Sequence, residues 1–250
     1  MQLLTVPSGL RGPRVADQAT LRQSTARVLV VGGVLLYNWW VVVPFVPGLM
    51  PSANGFFSDL EATGRPHAGL MSDADLAAGL LMVVALVLRG SFAQGTHRRE
   101  WKWMVAFAAA GAVGGRFPYA CSEGLSATCR QMEWHLQLPL HHYVHVVSGI
   151  AEFATLTVAA VLAMQRTRGT GTPVARVYGT LVKGLVVGYP LLGLVYLTDR
   201  LGTLVEPIFF VIFSAMVLAE VYEAVSRPTP AADRSATAWA DRVMARSPVG

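Results

Sequence analysis

The chain has 250 residues, 53% of them hydrophobic and 14% charged, with a formal charge of +5 and a mean hydropathy of +0.46. A soluble domain carries about 25% charged residues, so this composition excludes an ordinary soluble fold and points to an integral membrane protein. The positive balance does not mark a nucleic-acid partner, because no Lys/Arg cluster interleaved with aromatic platforms is present.

Residues 1–26 are rich in Pro, Ser, Thr and Arg, which predicts a disordered cytoplasmic tail with no cleaved signal peptide. Apolar runs then predict six spans, at Val28–Val46, Ala74–Leu88, Trp103–Gly115, Leu140–Met164, Tyr178–Leu197 and Leu204–Tyr222. The third is short. Together they define an all-α polytopic domain over residues 27–225, followed by a second, mostly disordered tail over 226–250.

Basic residues crowd the N-terminal tail (Arg11, Arg14, Arg22, Arg27), loop two (Arg89, Arg98, Arg99, Lys102), loop four (Arg166, Arg168, Arg176) and the C-terminal tail. The alternate segments hold only Arg65, Arg116, Arg130 and Arg200. By the positive-inside rule both termini are cytoplasmic, and loops one, three and five face outside. Cys121 and Cys129 both fall in loop three, where an extracytoplasmic pair predicts a short disulfide loop.

The run LHHYVHVVSGIAEFATLTVAAVLAM, Leu140–Met164, carries the least ordinary pattern. His141, His145, Ser148, Glu152 and Thr155 are spaced by four, three, four and three residues, which sets all five on one helix face. A carboxylate at mid-bilayer costs roughly 2.5–3.5 kcal/mol on insertion scales, so Glu152 is expected to face protein or a wet cavity. Lys183, inside span five, is one conceivable partner.

The segment FFSDLEATGRPHAGLMSDADLAAGLL supplies Ser58-Asp59-Leu60 after span one and a polar entry to span two over Arg65–Asp75. A cysteine-containing loop, Arg116–Cys129, then precedes histidines at span four, His141–His145. In these features the chain resembles the DUF998 group of bacterial six-span membrane proteins. More distantly it resembles the Frag1/DRAM/Sfk1 family, although Glu61 stands where that family's early motif has Gly. The first resemblance implies the six-span topology and a bacterial cytoplasmic (inner) membrane, and says little about activity.

Three functional readings are open. A lipid could be bound, or its remodelling assisted, at a polar site on the outer face through Arg65, Arg116 and Arg200, with His141 and Ser148 as hydrogen-bonding groups. A zinc-dependent lipid hydrolase or acyltransferase would use His141 and His145, which stand at i and i+4, with a further ligand from Asp73, His67, Asp59 or Asp75. Glu152, His145 and Asp59 would then be the catalytic candidates. That layout is similar to the ceramidase and adiponectin-receptor superfamily of membrane hydrolases. Proton-coupled transport of a small molecule through Glu152 is the third. Against all three stands a purely structural role, in which intramembrane polar groups only join helices.

Overall fold

The computed structural model describes residues 13–49, 55–90, 96–198 and 200–226. The expected C-terminal tail, Asp199 and the first twelve residues lie outside these. The described residues form seven α-helices: α1 Pro13–Tyr37, α2 Ala68–Gly90, α3 Thr96–Arg116, α4 Ala127–Trp134, α5 Leu140–Thr167, α6 Pro173–Thr198 and α7 Gly202–Ser226. Short 3-10 turns occupy Trp39–Phe45, Ser58–Glu61 and Glu123–Leu125, and no strand is present among the described residues.

Helices α2, α3 and α6 start ahead of the expected spans, and two further differences have local reasons. α1 begins at Pro13, so residues 13–26 are helical rather than an irregular tail. Proline suits the first helical position, and the run that follows is rich in Ala, Gln, Leu and Arg, which favour helix. At its other end Asn38 Nδ2 donates to the Val34 carbonyl at 2.7 Å, and the chain tightens into the turn containing Pro44. Loop three contains an unexpected helix, α4, whose N-cap Ser126 accepts from the Cys129 amide at 3.2 Å.

Five helices are long and apolar enough to cross a membrane: Leu21–Phe45, Ala68–Leu88, Leu140–Thr167, Pro173–Thr198 and Gly202–Glu220. α3 contains the expected third span but is not among them, because its opening THRREWKW is polar and shortens the apolar stretch. Residues such as Val28, Leu35, Leu80, Val147, Ile150, Val187, Leu194 and Val211 are exposed around the outside of the bundle. An apolar outer surface of this kind belongs in hydrocarbon rather than water.

The helices form a closed ring. α1 packs on α2, α2 on α3, α3 on α5, α5 on α6, α6 on α7, and α7 returns to α1. The α2–α3 seam is very close: a Cβ on Gly79 would stand 2.7 Å from the Ala108 carbonyl, and one on Gly115 would stand 2.7 Å from the Ser72 carbonyl. Inside the ring, Phe107, Leu156, Phe209, Phe213 and Met216 form a buried core. One end is capped by loops. There Val43, Leu49, Phe57, Leu60 and Met71 make a second apolar cluster. The Cys121–Cys129 disulfide, with a Cα–Cα distance of 6.1 Å, ties the turn at Glu123–Leu125 to α4. Thr63 sews the two loops together, donating its amide (2.9 Å) and hydroxyl (3.0 Å) to the Tyr119 carbonyl.

Candidate functional site: an acidic chamber inside the ring

Beneath the loop cap the ring encloses a cavity of about 120 Å³, bordered by α1, α2, α3, α5 and α7. Four carboxyl side chains line it: Glu61, Asp75, Glu152 and Glu206. Five aromatic rings, Tyr37, Phe107, Tyr119, Phe153 and Phe210, complete much of the wall. No Lys or Arg is among the lining residues, and the imidazole of His145 is the one basic group there.

Three of the carboxyls accept hydrogen bonds from other elements. The Trp39 indole donates to Asp75 Oδ1 at 2.8 Å. Asp75 and Glu61 are neighbouring carboxyls, one on α2 and one in the cap. Ser72 Oγ donates to Glu61 Oε2 at 3.3 Å. Burial, then the neighbouring Asp75, holds the Glu61 carboxyl well above the usual carboxylate range. Glu206 accepts from the Phe57 amide and, at 3.3 Å, from the Ser58 amide, so α7 is pinned to the cap. Glu152 and Tyr37 line the chamber from α5 and α1. Lys183 is exposed on α6 and does not line the chamber, so it does not partner Glu152 there.

The polar face expected on span four divides at the chamber. His145, Ser148 and Glu152 line it, whereas His141 does not. Thr155 Oγ1 is turned back onto its own helix, donating to the Ala151 carbonyl at 2.7 Å. His145 Nδ1 lies 3.1 Å from the Gly114 carbonyl and 3.0 Å from that of Phe117. Carbonyls only accept, so Nδ1 carries the hydrogen and Nε2 is the accepting nitrogen of the neutral ring. The Tyr119 ring packs on His145 with centroids 3.9 Å apart.

The other expected residues lie elsewhere. Asp59 is buried in the cap, accepting from the Phe56 amide at 2.9 Å, and is not a lining residue. Asp73, Arg116 and Arg200 are exposed and Arg65 is half-buried; none of these lines the chamber. Among the described residues, His141, His145 and Asp73 do not bring their ligand atoms within 4.8 Å of one another; Glu100, Glu220 and Glu223 do, at the other end of the ring.

Beside the chamber, α4 carries a second acidic group. Glu133 Oε1 accepts from the Tyr196 hydroxyl at 2.9 Å, and Glu123 is its neighbour. Burial, then the neighbouring Glu133 carboxyl, pushes the Glu123 carboxyl up to about 9. His142 is fully buried; its Nδ1 accepts from the Ala120 amide at 3.3 Å, and its Nε2 stands 3.4 Å from Glu133 Oε2 without hydrogen-bond geometry.

A ring of apolar helices around a capped acidic chamber defines a helical membrane-type bundle with an internal cavity. The chain belongs to the family DUF998, described as protein of unknown function, whose profile matches residues 30–221. That range runs from within α1 to within α7 and includes every lining residue of the chamber. No curated protein and no solved structure matches the chain.

Proposed function

We propose that this is a six-span membrane protein, with both termini cytoplasmic, whose chamber binds the positively charged head of an ammonium-bearing ligand. That head belongs either to a lipid or to a free organic amine. The carrying observation is the lining itself: four carboxyls and five aromatic rings with no Lys or Arg. Buried carboxyls are costly unless a proton or a cation accompanies them, and aromatic faces attract ammonium groups by a further 0.5–2 kcal/mol or so.

The same lining argues against a phosphate in the chamber. Anionic groups would meet four carboxyls there, and the arginines expected to hold a phosphate lie outside it. In this reading α3 is the third crossing. It matches its neighbours α2 and α5 in packing, and its polar start carries Arg98, Arg99 and Lys102, as a cytoplasmic end would. The loop cap then faces outside, in a bacterial cytoplasmic membrane.

Calorimetric titration of the detergent-solubilised chain with choline, ethanolamine and inorganic phosphate tests this. The amines are expected to bind saturably, and Glu152→Gln or Glu206→Gln to weaken them at least about tenfold, roughly 1.4 kcal/mol. Absence of binding by both amines, or phosphate binding that Arg116→Ala abolishes, would overturn the reading.

A further inference from the structure

A second hollow lies on the outside of the ring, between α3 and α5. It measures about 450 Å³ and is bordered by apolar and small side chains, among them Ala109, Val113, Val144, Val147 and Ala151. Val113 and Val147 are 40% and 63% exposed, so on a membrane-spanning chain this groove opens to the hydrocarbon.

The groove and the chamber meet at one residue. Ser148 borders both, and it is buried, its hydroxyl donating to the His145 carbonyl at 2.7 Å. Opposite it α3 offers no side chain: a Cβ on Gly114 would lie only 3.2 Å from Ser148 Oγ. One turn further along, Gly111 likewise faces Glu152, with a Cβ position 3.2 Å from Oε1. The wall between hydrocarbon and carboxyls is therefore thin at Ser148 and bare on its α3 side.

We infer that the ligand is a membrane lipid with an amine headgroup, reaching the chamber sideways between α3 and α5. Its ammonium lies against Glu152 in the chamber, its phosphate stays on the groove side of Ser148, and one hydrocarbon chain occupies the groove. This rests on the chamber being an ammonium site. A water-soluble amine has no use for an apolar groove. A partner helix lying there would leave the junction with a carboxylated cavity unexplained. A single amphiphile uses both hollows at once, each with the part it suits.

Native mass spectrometry tests the assignment on the full chain, extracted from vesicles of equal phosphatidylethanolamine and phosphatidylglycerol. One phosphatidylethanolamine per chain is expected to be retained in preference to phosphatidylglycerol. Ala109→Trp and Val147→Trp, both at exposed positions that tolerate bulk, fill the groove without touching the chamber. Each is expected to reduce the retained lipid at least about tenfold while calorimetric ethanolamine affinity changes less than about twofold. Undiminished lipid in both tryptophan variants, with ethanolamine still bound, overturns the groove assignment and leaves the chamber reading intact. Equal retention of phosphatidylglycerol overturns the amine-lipid assignment. Failure of the unmodified chain to bind ethanolamine overturns this inference, and failure to bind choline as well overturns the chamber reading with it.

Discussion

Arg166 holds three helices together at the end of the ring away from the cap. Its guanidinium meets both oxygens of Glu100, at 2.7 and 2.8 Å, and both of Glu223, at 2.5 and 2.6 Å, with Glu220 at 3.8 Å. The Tyr178 hydroxyl donates to Glu220 at 2.9 Å and to Glu223 at 3.2 Å, and its ring lies 5.9 Å from the guanidinium. A planar fork can serve two carboxylates at once, which an ammonium cannot. Arg166→Met would leave buried carboxylates without that charge and is expected to cost about 3–5 kcal/mol. Arg166→Lys should recover only part of it. Denaturant titration followed by tryptophan fluorescence reads the loss, and an unchanged midpoint in Arg166→Met would refute this account.

In the sequence, Arg166 is one more positive charge in a cytoplasmic flank, because nothing local says that its partners lie on α3 and α7. The chamber was legible in part, for the same kind of reason. Glu152 stands out as a carboxyl in an apolar run. Glu206 gives the same signal in TLVEPIFF and is absent from the expected site set, so that residue was readable and missed. Glu61 and Asp75 sit in a polar stretch where acids ordinarily cap helices or meet water; only the packing of the cap onto α2 turns them inward.

At the scale of elements, α3 has the most to accommodate, since it packs closely on both α2 and α5. The motif GAVGG makes this possible: Gly115 meets α2, while Gly111 and Gly114 meet α5. Gly115→Ala would press a methyl onto the Ser72 carbonyl, which is backbone and cannot rotate away. The expected cost is about 1–3 kcal/mol, as for other overpacked sites. Gly149→Ala, where a Cβ meets nothing within 4 Å, is the matched control and should be neutral or mildly stabilising. Equal thermal midpoints for the two variants would contradict the close α2–α3 seam. The sequence shows these glycines only as small residues, and packing alone decides which partner each one meets. The apolar runs located the long helices, but α2, α3 and α6 begin at Ala68, Thr96 and Pro173, ahead of those runs, and α1 and α4 have polar residues that disguise regular backbone.

The whole molecule should respond to pH through its cap. Glu123 takes up a proton near pH 9 when folded, against an ordinary value of 4.5. Between those limits the folded chain binds the extra proton, so this contribution is complete below about 4.5, declines as pH rises, and is gone above about 9. Glu61 acts in the same direction, and Glu133 and Asp59 oppose ionisation of Glu123 while Arg130 favours it. The thermal midpoint of the purified chain is expected to fall from about pH 5 to about pH 9, and Glu123→Gln to flatten that slope. A midpoint that climbs with pH over this range would contradict the assignment.

Closure of the ring also bears on how the protein is made. α7 carries Glu206 and Phe210 and seals the seam against α1, yet it is the last of the described helices to leave the ribosome. Until it arrives, Glu61, Asp75 and Glu152 border a trough open on one side. An inserting chain therefore passes through an intermediate whose carboxyls face lipid or water without the Glu206 wall. Docking of α7 completes the bundle and closes the chamber in the same step.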